Sequence, residues 1–219
     1  MDFKYFVSKK LRFIQRHYEG ATHPFTSIMQ KIIDREPPFD NDPNVMPESS
    51  DPPFLEDYLD AVQSVAVVGD SCLCLVQSVL MDYLRDRIKM AGGRLPTDAR
   101  KRALLLRYRD YYRDRLEIDW SHGPIEFAKL EEIVLARNEI VHQSCVYSHF
   151  SFASDKFAAK YPRSSYIVRY APASAHIFVG PDAIADACAT VEQFCAFLED
   201  QWKLRGVRGR GGGDAQILT

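Results

Sequence analysis

The sequence predicts a mainly α-helical fold: a helical bundle with one small β-hairpin in its C-terminal half, before the last helix. Apolar residues recur at three- and four-residue spacing over most of the 219 residues, which is the period of helices with one buried face. Two short runs, 164–170 and 175–180, are instead rich in β-branched and aromatic residues and predict strands. A chain of this length can bury one sizeable core.

The start of the chain predicts a helical arm over residues 1–36. Its pattern is typical of two short helices, 3–19 and 24–36, because the residue before a proline disfavours helical backbone and His23-Pro24 lies between them. The segment EPPFDNDPNVMPESSDPP follows, with six prolines and many acidic residues. We therefore expect residues 37–53 to form an acidic loop or linker.

A helical domain is predicted over residues 54–204, beginning with a long helix over 55–90 that ends at AGGRLP. This helix contains the most apolar run of the chain, VAVVGDSCLCLVQSVLM. Because the run includes Asp70 and Gln77 and is shorter than a membrane span, it predicts the buried central helix of a soluble protein. The N-terminal MDFKYFVSKK has no uninterrupted apolar core of a secretory signal, so we expect a cytoplasmic protein without membrane contact.

A basic helix is predicted over 98–118, with Thr97 and Asp98 as capping residues. The next helix follows His122-Gly123-Pro124, where proline suits a first turn, and runs to about residue 144.

The predicted strands are joined by APAS, a plausible hairpin connection, and a last helix is predicted over 182–202. Residues 205–219 are rich in glycine and arginine and predict a flexible tail.

Charge is distributed unevenly along the chain although the net charge is only −2. Residues 34–60 contain nine acidic residues and one basic residue, whereas residues 85–115 contain eleven basic and four acidic residues. The asymmetry predicts a polarised surface with a basic side for an acidic partner, or else two well-solvated faces. The five cysteines are odd in number, and Cys72 and Cys74 point to different sides of a helix. We expect reduced thiols and no metal site.

The stretch ARNEIVHQ, residues 136–143, places a permanent charge in an apolar pattern. At about 100° per residue, Arg137 falls inside the apolar stripe of its helix. The members of that stripe are Phe127, Leu130, Ile133, Val134, Ile140 and Val141. A guanidinium on a buried face needs an anion. Either a carboxylate of the long helix (Asp60, Asp70 or Asp82) or a phosphate of a ligand would meet that need.

Asn138 and His142 lie four residues apart and share a face that points well away from Arg137. If Arg137 and His142 act on one phosphate, either the arginine bends round or two copies of the helix meet at a two-fold axis. His142 would otherwise be a surface or capping residue near a helix end.

The segment RNEIVH, residues 137–142, resembles the R-x(4–6)-H motif of the HEPN superfamily (higher eukaryotes and prokaryotes nucleotide-binding domains). A polar residue follows the arginine and an apolar residue precedes the histidine, as in that motif. HEPN domains are helical bundles with the motif on a late helix, and many have a hairpin and a further helix after it, so the resemblance covers roughly residues 55–202.

The resemblance implies a metal-independent endoribonuclease that works as a homodimer without a cofactor. Arg137 would hold the scissile phosphate, and His142 would act as general acid or base. Asn138 would position one of them or the phosphate. The ribose 2′-hydroxyl would be the nucleophile, and the products would be a 2′,3′-cyclic phosphate and a 5′-hydroxyl end. The superfamily includes toxins of toxin–antitoxin pairs and defence nucleases, which makes an antitoxin a candidate partner.

The basic helix is a candidate RNA-binding wall. Its cations at the start and along its length are Lys101, Arg102, Arg107, Arg109 and Arg113. Contacts of this kind supply affinity for phosphates without sequence choice. The alternative is a solvated face held by arginine–aspartate pairs such as Arg109/Asp110 and Arg113/Asp114.

Two other function classes remain open at this point. One is a non-catalytic HEPN-like domain that binds nucleotides or partners a nucleotidyltransferase. The other is a helical interaction protein in which Arg137 forms an internal ion pair.

Overall fold

The computed structural model of the chain describes residues 2–40, 52–95, 103–142, 151–171 and 174–205. The prediction of a mainly helical bundle with one hairpin before the last helix is confirmed. The helices are α1 (Phe3–Asp34), α2 (Leu55–Met90), α3 (Leu104–Leu116), α4 (Phe127–His142), α5 (Asp155–Lys160) and α6 (Pro181–Leu204), with a 3-10 turn at Trp120–His122. The strands are β1 (Ile167–Ala171) and β2 (Ser174–Ile177), which pair antiparallel.

Helix α2 is the centre of the bundle and packs against α1, α4 and α6. Its fully buried side chains lie at three- and four-residue spacing, as the sequence predicts, and include Leu73, Leu80 and Leu84. They share one hydrophobic core with large side chains of α1, α3, α4 and α6, namely Leu11, Tyr112, Leu130 and Phe194. The buried face of α1 belongs to this same core, so the N-terminal segment is packed into the bundle as one of its helices.

The prediction of two N-terminal helices is wrong, because α1 continues through Pro24. A proline inside a helix removes one backbone hydrogen bond and crowds the carbonyl four residues earlier. Here Pro24 and Gly20 both lie on the exposed side, where water reaches that carbonyl. On the opposite side the Thr22 hydroxyl donates to the Tyr18 carbonyl at 2.8 Å, and packing against α2 keeps the helix continuous.

One helix start and one short helix also differ from the sequence prediction. Helix α3 begins at Leu104 after extended Ala103, which has no side-chain cap, and the predicted caps Thr97 and Asp98 lie outside the described residues. Helix α5 was not predicted. Its Ser154 cap accepts a hydrogen bond from the Phe157 amide, but six residues are too few to show a helical period.

The hairpin lies next to α2 through the residues that follow β2. Gly69 of α2 is buried so closely beneath Val179 that an added Cβ would lie 2.2 Å from the Val179 carbonyl oxygen. The absence of a side chain at Gly69 is therefore what lets the backbone after β2 approach the central helix.

We expect Gly69→Ala to lower the free energy of unfolding by about 1–3 kcal/mol, because the new methyl group meets backbone that cannot rotate away. Gly20→Ala is the matched control, since nothing lies within 4 Å of a Cβ at that exposed helical position. That control should raise stability by about 0.5–1 kcal/mol. Urea denaturation measures both, and equal effects of the two substitutions would contradict the close approach.

Helix α2 also has the length and composition of a membrane span, with a mean hydropathy of 1.7 over its most apolar 18 residues. Half of that window is buried inside the protein. The core helix of a folded bundle has the same properties.

A buried ion pair joins α2 to α6. Arg87 and Glu199 are 7 % and 3 % exposed, and the guanidinium meets the carboxylate through two nitrogen–oxygen contacts, of which Nε–Oε1 is 2.5 Å. The Tyr83 hydroxyl donates to the same carboxylate at 2.8 Å. The sequence pattern does not reveal this pair, because Arg87 and Glu199 each occupy a position on the buried, otherwise apolar side of their helix.

Candidate functional site

Helix α4 carries the RNEIVH segment and buries a line of residues that is rotated from the predicted one. The buried side chains are Leu130, Ile133, Ala136 and Ile140, whereas Val141 is 45 % exposed. Arg137 is half-buried, and at 100° per residue it lies between Leu130 and Ile133, about 50° from the centre of this line. The predicted position of Arg137 among buried side chains is thus retained, although the residue itself is only half-buried. Ala136 is fully buried on the same side of the helix.

The Arg137 guanidinium lies between α4 and the face of α2 that carries Cys74. Its Nη1 donates to the Asn138 Oδ1 at 3.3 Å, and its Nε is buried with no hydrogen-bond acceptor. A hydrogen bond and the positive charge of Arg137 both act on the Cys74 thiol. Part of the donor fork is therefore held in place, and part is left without an acceptor.

The three carboxylates proposed as internal partners do not pair with Arg137. Asp82 pairs with Arg85 at 2.6 Å, and Asp60 is exposed. Asp70 has a buried Oδ1 without a hydrogen bond. Within the described ranges, no salt bridge joins Arg137 to a carboxylate. The internal ion pair that would have explained a buried arginine is thus not what these residues form.

Asp70 and Cys74 lie one turn apart on α2 and respond to the same environment. Burial raises the pKa of the Asp70 carboxyl from 3.8 to about 7. Burial also raises the pKa of the Cys74 thiol, the Arg137 charge lowers it, and the Asp70 charge raises it again. The neighbourhood of Arg137 on α2 thus contains a buried carboxyl that is costly to ionise.

We expect Asp70→Asn to remove part of the pH dependence of stability. Below about pH 4 the carboxyl is protonated in the folded and the unfolded protein and carries no penalty. As pH rises to about 7, the unfolded chain loses this proton first, because the folded pKa is the higher one. The free energy of unfolding therefore falls over that window and levels off above it.

Urea denaturation between pH 4 and 8 measures this effect, and the Asp70→Asn variant should show a shallower decline than the parent. Asp60→Asn, an exposed change on the same helix, is the control. An identical decline in the parent and in Asp70→Asn would show that the carboxyl is not buried in this way.

His142 is exposed and is the last residue of α4. It follows Arg137 by five positions, which is a rotation of about 140°. Asn138, half-buried, lies between the two directions. By helical geometry Asn138 points closer to His142 than to Arg137, as the sequence predicts, and the hydrogen bond from Arg137 Nη1 to Asn138 Oδ1 is what links Asn138 to the arginine.

The opposite face of α4 is anchored to α5. The Glu139 carboxylate accepts hydrogen bonds from the Ser154 amide at 2.7 Å and from its hydroxyl at 3.0 Å. Glu131 accepts from the Tyr161 hydroxyl at 3.0 Å and pairs with Lys160 at 2.7 Å. These contacts, which the sequence did not indicate, fix the rotation of α4 about its axis and so the direction of the motif.

The candidate RNA-binding wall on α3 has paired cations. Arg113 pairs with Asp114 at 2.7 Å and with Asp110 at 3.4 Å, and Arg109 lies 4.5 Å from the Phe127 ring. Tyr108 and Tyr112 are core residues, so they cannot stack on bases. Lys101 and Arg102 lie outside the described residues, and Arg107 is half-buried on α3. At Arg109 and Arg113 the structure therefore has the arginine–aspartate pairs that were the alternative to an RNA-binding wall.

In the part of the chain that the structure describes, no group of three or more His, Cys, Asp or Glu side chains could hold a metal ion.

Comparison of the chain with models of protein families, with curated proteins and with solved structures found no match.

Proposed function

We propose that this chain is a cytoplasmic, metal-independent endoribonuclease of the HEPN type that acts as a homodimer on RNA. The observation that carries the proposal is the half-buried Arg137 guanidinium, which has no carboxylate partner within the described ranges and a buried Nε without an acceptor. A planar guanidinium with an N–H group that still lacks an acceptor is well suited to bind a phosphate. The helix order, with the motif on α4 followed by a hairpin and α6, supports the same assignment.

The proposed reaction is transesterification within the RNA chain. The ribose 2′-oxygen attacks the adjacent phosphorus, the bond from phosphorus to the 5′-oxygen breaks, and a 2′,3′-cyclic phosphate and a 5′-hydroxyl form. Arg137 stabilises the negative charge that grows on the phosphate oxygens in the transition state. His142 transfers the proton, either from the 2′-hydroxyl or to the departing 5′-oxygen. Asn138, hydrogen-bonded to Arg137, positions the guanidinium.

The homodimer follows from the directions of the two residues. Arg137 and His142 diverge by about 140° on one helix, so a cleft that uses both is most simply built by two copies around a two-fold axis. In that arrangement the arginine of one copy and the histidine of the other face the same phosphate.

The test is cleavage of end-labelled RNA by the purified protein in the presence of EDTA. We expect cleavage that chelation leaves unchanged, with a 2′,3′-cyclic phosphate on the upstream product and a 5′-hydroxyl on the downstream one. Inhibition by EDTA, or 5′-phosphate products, would contradict the mechanism. A homogeneous dimer that cuts no RNA would leave the non-catalytic alternative, a nucleotide-binding or interaction domain.

A toxin or defence role is one biological setting for such an enzyme, with an antitoxin or a nucleotidyltransferase as its partner. Co-purification of a small protein that suppresses cleavage by the dimer would support that setting.

A further inference from the structure

The first half of α1 carries a dense group of cations that the proposed active site does not use. Residues 3–18 contain five basic side chains and no acidic one, the cations being Lys4, Lys9, Lys10, Arg12 and Arg16. All five are exposed, and within the described ranges none of them has a salt bridge to a carboxylate. This differs from α3, where Arg109 and Arg113 are paired with aspartates.

Large aromatic side chains lie among these cations on the same solvent side. Tyr5, Phe6 and Phe13 are 56 %, 45 % and 60 % exposed. Lys9 lies over the Tyr5 ring at 5.8 Å, and the Phe13 and His17 rings stack with an angle of 7° between their planes. The core does not need these rings, because the buried face of α1 consists of other residues.

Cations and rings lie side by side around the outer side of the helix. At about 100° per residue, their order around the axis is Arg12, Tyr5, Arg16, Lys9, Phe13, Phe6, His17 and Lys10. We call these eight residues the basic aromatic face.

A groove of about 470 Å³ opens along this face between α1 and α2. Phe6, Phe13 and Leu75 are among its apolar lining residues, and Lys9, Lys10 and Arg16 are among its polar ones. Its volume lies within the range of small-ligand sites, roughly 300–1,000 Å³. An apolar lining with cations beside it offers contact to a flat ring and to a phosphate at once.

Single-stranded RNA fits this face better than an anionic membrane does. A membrane-surface helix inserts a continuous apolar face, and the apolar face of α1 is already buried against α2 and α6. Single-stranded nucleic acid instead needs cations along its backbone with aromatic rings between them for its bases. The basic aromatic face has both, because each of its exposed rings lies within one helical turn of a cation.

We propose that the basic aromatic face of α1 binds single-stranded RNA through phosphate contacts to its cations and base stacking on its exposed rings. The choice of RNA over other polyanions rests on the proposed function. The face lies on α1, beside α2 and apart from α4, and would hold a segment of the strand away from the bond that is cut.

The experiment measures binding without cleavage. A fluorescein-labelled single-stranded RNA of 20 nucleotides is titrated with the full chain carrying His142→Ala, and anisotropy is followed at several salt concentrations. Adding Phe13→Ser should weaken binding by about 5- to 150-fold, the effect of losing one stacked base. Adding Lys9→Gln with Arg16→Gln should reduce the slope of log affinity against log salt by about 1.4, for two lost phosphate contacts.

Two substitutions at the far end of α1 are the matched controls. Ile33→Ser removes a side chain that is 60 % exposed, as Phe13 is, and Lys31→Gln removes an exposed cation from the same helix. Both should leave affinity and salt slope unchanged. Thermal melting monitors the fold of every variant, and the exposed changes should leave the melting temperature unchanged.

Three results would overturn the proposal. The first is equal affinity of the Phe13 and Lys9/Arg16 variants and the parent for the RNA. The second is an equal loss of affinity in the two controls. The third is that the protein binds vesicles containing phosphatidylserine through this face and does not bind RNA. The binding assay does not depend on cleavage. If the parent protein binds RNA through this face but does not cleave it, the proposed nuclease function is refuted and the proposed RNA-binding face is not.

Discussion

In the His142→Ala variant we expect RNA cleavage to fall by about 100-fold or more, the usual effect of removing a general acid or base. The fold should be unaffected, because His142 is exposed at the end of α4 and leaves no cavity when truncated. The rate of product formation under single-turnover conditions is the measurement. His122→Ala, which alters another exposed histidine, is the control and should keep the parental rate.

A mixing experiment tests how the two residues come together. Arg137→Ala and His142→Ala proteins are each expected to be inactive. If the arginine and the histidine of one cleft come from different copies, each mixed dimer contains one intact site. Random exchange at equal amounts should then restore about a quarter of the parental activity. No recovery despite subunit exchange would show that both residues act from one chain, and parental rates in His142→Ala would remove the histidine from the mechanism.

Replacing Arg87 by methionine should lower the free energy of unfolding by about 3–5 kcal/mol, the cost of leaving a buried charge without its partner. Glu199 is 3 % exposed and would keep the Tyr83 hydroxyl but lose both guanidinium contacts. The Arg87 guanidinium also lies 4.3 Å from the Phe3 ring and 4.9 Å from the Trp202 ring, so the substitution loosens α1 and α6 together. Urea denaturation at neutral pH measures the change.

The double variant Arg87→Met/Glu199→Leu separates the penalty of an unpaired charge from the loss of packing. Buried ion pairs replaced on both sides by apolar residues of similar volume are often no less stable. We therefore expect the double variant to recover most of the stability lost in Arg87→Met. Arg85→Met is the control, since Arg85 forms an exposed pair with Asp82 that should contribute about 0.2–1 kcal/mol. A loss below about 1 kcal/mol in Arg87→Met would contradict the buried pair.

Local patterns predicted the long helix α2, because its apolar period runs without interruption from 55 to 90 and glycines follow it. The hairpin was predicted because β-branched and aromatic residues are enriched in two neighbouring runs. The first strand begins at Ile167 and not at the predicted residue 164, because a turn is closed by the hydrogen bond from the Ile167 amide to the Ser164 carbonyl. The break at Pro24 was a wrong prediction. A proline raises the local cost of a helix, and packing of α1 on α2, which no local pattern contains, outweighs that cost.

For the motif on α4, too, helical geometry predicted one feature and tertiary contacts decided another. The divergence of Arg137 from His142 is a property of helical geometry and could be read from spacing. The rotation of α4 could not, since it depends on Ala136 facing the core and on Glu139 binding Ser154. The pairs of Asp82, Arg109 and Arg113 are instead local, because each joins residues at most three positions apart on one helix, and those of Arg109 and Arg113 could be named from the sequence.

By itself the sequence determined that the chain forms helices around an apolar central one, with a hairpin before the last helix, because periodicity and turn residues act over a few neighbouring positions. Only the tertiary structure decided that Arg87 pairs with Glu199, that Arg137 has no carboxylate partner within the described ranges, and that the cations of α1 face solvent beside exposed rings. The physical reason is that charges choose partners by distance and burial, which arise between segments far apart in the chain.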